Sequence, residues 1–270
     1  MSDNRLAGQV AWITGGASGM GRAIAELFSA HGASVAIVDS NTAGEECAKE
    51  LRAQKRKALF TRCDVASEEQ VRASIAQTVE AFGALHILVN CAGIVHVTPL
   101  HECTVQDWDL LMGVNVKSIF LSLKHAIPHL RRNKRSYVVN IGSVGSFIGQ
   151  ASTPAYIASK GAVLQLSRAI ALDYAVDGVR CNCVCPGITD TPMLRYHLDK
   201  SGDGDAMLAK RLRRVPMGVA LSPADIARAA LYFSCEDSSG VTGTSLIVDG
   251  GYLATAEWET ERPTKFMDAR

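Results

Sequence analysis

The stretch Thr14-Gly15-Gly16-Ala17-Ser18-Gly19-Met20-Gly21 decides the fold because of what stands on either side of it. Before it, Val10-Ala11-Trp12-Ile13 is apolar throughout; after it, Arg22 to His31 carries the spacing of an amphipathic helix. A glycine-rich turn between a buried strand and a helix lets backbone N–H groups approach a pyrophosphate, whose charge is favoured at a helix N-terminus. The pattern G-x-x-x-G-x-G is weak by itself, and its position between strand and helix gives it weight. A purely structural turn is the competing reading, and the flanking elements count against it.

Outward from that turn, short apolar runs alternate with helical patterns along the whole chain. Ser34–Val38, Ala58–Thr61, His86–Asn90, Tyr137–Ile141, Val179–Cys185 and Ser245–Val248 continue the strand series begun at Val10. Between them, helices are expected over Thr42–Gln54, Glu68–Phe82, Trp108–Leu130 and Ala155–Ala175. Strands that are apolar throughout, without alternation, suit a parallel sheet buried on both faces. Repeated right-handed β-α connections then give an α/β fold: a Rossmann-type, doubly wound parallel sheet of about seven strands with helices on both faces. No linker or repeat divides residues 1–270, which read as a single dinucleotide-binding and catalytic domain. Two stretches stand outside the alternation. Residues 187–222 form an insertion of the length usually found in functional lids, and residues 254–270 form a polar, charged C-terminal tail.

Lys and Arg number 28 and Asp and Glu 27, a net charge of +1. That balance removes a global electrostatic drive toward nucleic acid or an anionic membrane. The chain is 47% apolar and 20% charged, enough for a large core and too few charges for a disordered chain. No uninterrupted apolar run approaches the roughly 18 residues of a membrane span, and Met1 to Arg5 lacks the apolar stretch of a signal peptide. A soluble, cytoplasmic protein is expected. The eight cysteines include no C-x-x-C, so neither a disulfide framework nor a metal site is expected. Cys181, Cys183 and Cys185 alternate with Asn182 and Val184, which in a strand puts three thiols on one face as small buried groups.

Asp39 ends the second strand, 18 residues beyond Gly21. A carboxylate there accepts hydrogen bonds from an adenosine ribose and repels a 2′-phosphate. No Arg or Lys stands at positions 16–18, 40 or 41 to offset it, so NAD is favoured over NADP. Further on, Tyr156-Ile-Ala-Ser-Lys160 places a phenol and an ammonium one turn apart on a helix. Ser143 follows the fifth strand, at the end of a sheet where ligands bind. Asn115 sits inside the long helix, an unfavourable place for a lone Asn.

Together these markers resemble the short-chain dehydrogenase/reductase family over about residues 6–252. T-G-x-x-x-G-x-G lies at 14–21, Asp64-Val65 follows the third strand, and Asn90-Cys91-Ala92-Gly93 follows the fourth. Asn115, Ser143, Tyr156, Lys160, Pro186-Gly187, Thr191 and Asp249-Gly250-Gly251 complete the series. Cys91 departs from the family's usual Asn.

The resemblance implies a catalytic set of Asn115, Ser143, Tyr156 and Lys160. Tyr156 would be the general base in oxidation and the general acid in reduction. A phenol is a weak base at neutral pH, and positive charge from Lys160 and an oxidised nicotinamide favours the phenolate. Lys160 would also hold the nicotinamide ribose. Ser143 would stabilise charge on the substrate oxygen, and Asn115 would hold a water linking Lys160 to solvent. Gly15, Ser18, Gly19, Met20 and Gly21 would cradle the phosphates. Asp64 and Val65 would contact adenine, and Asn90, Ala92 and Gly93 the adenosine half. Pro186, Gly187, Ile188 and Thr191 would surround the nicotinamide. The resemblance further implies a homotetramer, packed through helices 108–130 and 155–175 and through helix 223–235 with the last strand. The tail, with Trp258 and Phe266, would then be able to reach a neighbouring subunit.

The lid offers the clue to the small-molecule substrate. From Met193 to Met217, Arg195, Lys200, Lys210, Arg211, Arg213 and Arg214 face Asp199, Asp203 and Asp205, a local excess of three positive charges. Arg211 or Arg214 turned inward would favour an anionic substrate; a solvated helix face is the plainer alternative. His96, Ser146 and Gln150 are polar positions expected beside the reacting centre, which suits a polyhydroxylated molecule. The expectation is oxidation of a sugar, or of a sugar acid or its keto-deoxy derivative. A 3-oxoacyl thioester reductase is the nearest enzymatic rival, disfavoured by Asp39. A catalytically silent cofactor-binding protein is the rival of another class, disfavoured because Tyr156 and Lys160 are both kept.

Overall fold

The computed structural model describes residues 4–199 and 202–255. At its centre is a seven-stranded sheet ordered β3-β2-β1-β4-β5-β6-β7, in which every pairing is parallel. The strands are β1 (Val10–Thr14), β2 (Ser34–Asp39), β3 (Ala58–Arg62), β4 (Ile87–Asn90), β5 (Ser136–Ile141), β6 (Val179–Pro186) and β7 (Ser245–Val248). All seven expected strands are present, displaced by at most one residue at an end. The chain runs outward from β1 to β3 and then returns to start β4 on the other side of β1. Connections leave the sheet in opposite directions at that point, which opens a crevice at the carboxyl ends of β1 and β4.

The helices are α1 (Gly19–Ala30), α2 (Ala43–Ala53), α3 (Glu68–Phe82), α4 (Val105–Met112), α5 (Ser118–Leu130), α6 (Pro154–Tyr174), α7 (Pro192–Asp199), α8 (Gly204–Leu212) and α9 (Pro223–Phe233). Successive strand residues point to opposite faces, and both faces are covered. Ala11 and Ile13 pack with Phe28 of α1, Leu51 of α2 and Ile226 of α9. Trp12, between them, packs on the other face with Ile75 of α3, Ile119 of α5 and Val163 of α6. Because β1, β4, β5 and β6 are buried at every residue, their sequences have no polar side to display. Cys181, Cys183 and Cys185 share one face of β6 in the second of these cores.

Three features differ from the sequence expectations. The helix expected from Trp108 begins at Val105, where the hydroxyl of Thr104 accepts from the Asp107 amide at 3.1 Å. It is also interrupted by a π-helical segment, Gly113–Lys117. By length and composition alone, Val105–Leu130 is a stretch that could cross a membrane; here Leu111, Ile119, Leu121 and Leu130 are buried against the rest of the fold. The lid carries two helices, α7 and α8, and its ends are tied together: Asp190 N donates to Leu221 O and Leu221 N to Ile188 O, both at 2.8 Å. Finally, Asn90, expected at the adenosine half, turns its side chain into the core. Ser122 Oγ donates to Asn90 Oδ1 at 2.7 Å, Asn90 Nδ2 to Asn140 Oδ1 at 2.8 Å, and Asn140 Nδ2 to Ser167 Oγ at 2.9 Å. This chain of polar side chains crosses β4 and β5 and links α5 to α6. Deleting one member would strand its neighbour in the core, at a cost of about 1–3 kcal/mol.

His86, just before β4, accepts a hydrogen bond from Val10 N through Nδ1 at 3.1 Å, and burial lowers its pKa below the ordinary 6.5. Only the neutral ring can accept. The unfolded chain therefore takes up the proton first as pH falls. The stability His86 contributes is complete above about pH 6.5 and is lost as pH falls through the lower folded value. His86→Gln is expected to show a smaller drop in Tm between pH 7.5 and pH 5 than the wild type, measured by thermal unfolding at matched ionic strength.

Candidate active site

The floor of the crevice is shaped by backbone contacts that only particular residues permit. Thr14, the last residue of β1, accepts through Oγ1 from the amides of Cys91 and Ala92 at 2.9 and 3.0 Å, pinning the turn after β4 to β1. Gly15 has φ +68°, a left-handed conformation open to glycine. Gly21 lies so close to this turn that a Cβ there would overlap the Gly15 carbonyl. Ser18 precedes α1 in an extended conformation without a side-chain cap, so the first amides of the helix face the crevice uncovered by a cap.

Gly15, Ser18, Gly19, Met20 and Gly21 form one wall of a cavity of about 320 Å³. Asp39, Asp64 and Val65 form its far end, and Ala92, Gly93 and Thr191 its near end. Asp39 accepts from Ala17 N at 3.1 Å and from Asn41 N at 2.9 Å, one bond on each carboxylate oxygen. Arg62, its register partner on β3, is not among the residues lining the cavity, although the neighbouring Cys63 is.

A second cavity of about 450 Å³ continues the first, sharing Met20, Cys91, Gly93, Thr191 and Met193 with it. Ser143, Gln150, Tyr156, Lys160, Pro186, Gly187 and Ile188 line it. Tyr156 and Lys160 stand one turn apart on α6. The Lys160 ammonium is buried and donates to the Ile141 carbonyl at the end of β5, 2.8 Å away. An ammonium has three donors, and Ile141 takes one. Ser143 caps a short turn, its Oγ accepting from Gly145 N at 3.0 Å. Burial raises the pKa of the Cys91 thiol to about 12, so this departure from the family pattern places a neutral group between the two cavities.

Three residues expected at the reacting centre have other partners. Ser146 is the hinge between Ser143 and α6: its Oγ accepts from Ser143 N at 3.3 Å and donates to the Lys160 carbonyl at 2.7 Å. Its hydroxyl is used within the protein, and it does not line the cleft. His96 also stands away from it, with Nδ1 3.8 Å from Asp107, while its neighbours Val95 and Val97 line the cavity. Asn115 was expected to hold a water through the site. Its Nδ2 donates to Ile94 O at 2.9 Å and Ser159 Oγ at 3.0 Å, and its Oδ1 accepts from Ile94 N at 2.8 Å. Both amide hydrogens are thus committed to the protein, and the side chain braces α6 against the turn after Gly93.

On the lid, Lys210, Arg211 and Arg214 line the second cavity, and Arg213 does not. Lys200 and the tail residues Trp258 and Phe266 lie outside the described residues. The sequence reading missed Thr14 as an anchor, Ser159 as the link to Asn115, and Met207 and Tyr252 as walls of the cleft. The position of Thr14 at a strand end was an available signal; nothing local in the sequence brings Met207 or Tyr252 to the cleft.

A glycine cradle that a Cβ would fill, uncapped helix amides and a carboxylate at the far end fit a dinucleotide lying across the switch point, its nicotinamide toward Tyr156. Comparison with known proteins agrees with this class. The family model described as Enoyl-(Acyl carrier protein) reductase matches residues 15–253. The 2-(R)-hydroxypropyl-CoM dehydrogenase of Xanthobacter autotrophicus is 41% identical over 91% of this chain and 99% of its own length. The 2,5-dichloro-2,5-cyclohexadiene-1,4-diol dehydrogenase of Sphingobium indicum is 40% identical over 92% and 98%. Among solved structures, levodione reductase superposes with a TM-score of 0.90 at 31% identity, covering 93% of this chain and 100% of that one. A nicotinamide-dependent oxidoreductase acting on CH–OH groups is therefore the class that fold and site define. The chain belongs to the short-chain dehydrogenase/reductase family.

Gly21→Ala is expected to weaken dinucleotide binding at least about tenfold, read from quenching of intrinsic fluorescence, because the turn must open to admit the methyl group. His96→Ala is expected to leave kcat and KM within about twofold of wild type, as for a surface substitution; a larger loss would return His96 to the site.

Proposed function

We propose that the protein is an NAD-dependent dehydrogenase of secondary alcohols that carry an anionic group, with sugar acids and their keto-deoxy derivatives as its hydroxylated substrates. The carrying observation is the convergence of Lys210, Arg211 and Arg214 on the cavity that also holds Tyr156 and Ser143. No described carboxylate pairs with these three cations, whereas Arg195 of the same lid is held by Asp190 through two 2.7 Å contacts. Gln150 lines the same cleft, whereas His96 and Ser146 have partners elsewhere. Both relatives named above are dehydrogenases of secondary alcohols.

NAD is preferred to NADP on the strength of Asp39. Its carboxylate closes the far end of the first cavity, where a 2′-phosphate would meet like charge, and no basic residue at positions 16–18, 40 or 41 offsets it.

The chemistry follows from the positions of the side chains. Bound NAD supplies the acceptor for the hydride removed from the carbinol carbon. Tyr156 takes the hydroxyl proton in oxidation and returns it in reduction. Ser143 donates to the substrate oxygen and stabilises its developing charge. Lys160, held by Ile141, keeps positive charge beside the phenol and has donors left for ribose hydroxyls. Asn115 is a positioning residue, acting through Ser159 and α6. Arg211 and Arg214 fix the anionic end, which sets which carbon faces Tyr156.

The outer faces of α4 to α6 support the homotetramer reading. Leu172 is 80% and the neighbouring Val176 94% exposed, with Val105, Leu110 and Phe120 more than half exposed. Tyr232 of α9 and Leu246 and Ile247 of the edge strand β7 are exposed as well.

The test is the initial rate of NAD reduction over pairs of alcohols with and without a carboxylate. Turnover confined to the acids, and KM raised in Arg211→Ala and Arg214→Ala, are the expected results. Turnover of neutral alcohols alone would overturn the substrate class. Tyr156→Phe is expected to lower kcat by about 10² to 10⁴, the usual contribution of general acid–base catalysis, with dinucleotide binding retained.

A further inference from the structure

We propose that Tyr252 is a positioning residue for substrate specificity: its ring holds the Arg214 guanidinium through a cation–π contact at the rim of the cleft, so that the cation stays at the cavity where a substrate carboxylate would lie. The inference rests on the reading of an anionic substrate given above and adds the element that makes the lid cation specific.

Arg214 follows the end of α8 and belongs to no regular element. An arginine there would ordinarily sample many rotamers in solvent. Its Cζ instead lies 5.1 Å from the centroid of the Tyr252 ring, within the range of a cation–π contact. The ring face attracts the charge of the cation, and a guanidinium carries five N–H donors. The contact therefore restrains the arginine side chain while donors remain that can pair with a carboxylate. Both residues line the cavity that holds Tyr156.

The ring is itself fixed by the turn that follows β7. Asp249 accepts from Gly251 N at 2.8 Å through one carboxylate oxygen and from Leu253 N at 2.7 Å through the other. Gly250, at φ +64°, has no room for a Cβ against Val215. Met217 N donates to Gly250 O at 3.1 Å. The segment just after Arg214 and the turn just before Tyr252 are therefore packed as one joint, which sets ring and guanidinium together. A plainer explanation of the lid cations is that Lys210 and Arg211 offset the C-terminal dipole of α8. That explanation gives no reason for Arg214, beyond the helix end, to lie on an aromatic ring facing the same cavity.

The experiment compares matched pairs, gluconate with sorbitol and 3-hydroxybutyrate with butan-2-ol, as substrates for NAD reduction. The readout is the ratio of KM for the acid to KM for its neutral partner. Tyr252→Leu is expected to raise that ratio about 2- to 5-fold, the range of a partly exposed cation–π contact. Tyr252→Phe and Tyr252→Trp keep an aromatic face and are expected to keep the wild-type ratio. In an Arg214→Ala background, Tyr252→Leu is expected to add nothing. An unchanged ratio in Tyr252→Leu, or equal rises for acid and neutral partner, would overturn the positioning role. So would a further rise in the double variant, while an elevated acid KM in Arg214→Ala would leave the anionic reading standing. If no acid is turned over, or if Arg211→Ala and Arg214→Ala leave the acid KM unchanged, the anionic reading itself fails and this inference with it.

Discussion

The hydrogen bond from the buried Lys160 ammonium to the Ile141 carbonyl joins the helix that carries the phenol to the strand end that carries Ser143. Taking an ammonium out of water costs several kcal/mol unless it is well solvated by the protein, so this contact works only if α6 is seated firmly. The seating comes from either side. Ser146 ties the Lys160 carbonyl to the Ser143 turn, and Asn115 reaches Ser159 from the opposite direction. The Tyr156 ring lies 5.7 Å from the Lys160 ammonium. Its place is set by α6, and the placement of α6 is set by these three polar ties together with the apolar packing of Val163 and Ile170.

The same economy governs the dinucleotide half. Thr14, Gly15 and Gly21 bring three backbone segments closer than larger residues would permit. The side chains that remain, Asp39 among them, line the far end of the cavity. The wall built by the lid is different in kind. It consists of long side chains on two short helices whose base is closed by the bonds between Ile188, Asp190 and Leu221, so its cations are delivered by an element distinct from the sheet.

What could be read from the sequence was what the backbone encodes locally. The strands were legible because burial on both faces leaves no alternation, and the glycine turn because its neighbours in sequence are its neighbours in space. Asp39 and Lys160 were legible because a strand end and a helical repeat fix their directions. The side-chain directions of Asn90, Ser146 and His96 were not legible, for one common reason. The direction of each side chain is decided by a partner far away in sequence or across a turn: Asn140 on the adjacent strand, the Lys160 carbonyl, and Asp107 at the start of α4. Tyr252 was missed because its partner, Arg214, is brought to it by the packing of Gly250 on Val215, a contact between segments that no periodicity relates.

The wide turn at Gly113–Lys117 has a consequence for how this family can vary. A π-helical turn holds one residue more than an α-turn and behaves as an insertion absorbed within a helix. α4 and α5 would still meet in phase if one residue were removed there, since the ladder would simply close to ordinary spacing. What would be lost is the inward rotation of Asn115, and with it the brace on Ser159. Chain length at this point is therefore under a different constraint from residue identity. A chain shortened at this point would keep its core and its lid and yet hold α6 more loosely, with no substitution at any residue that lines the cleft.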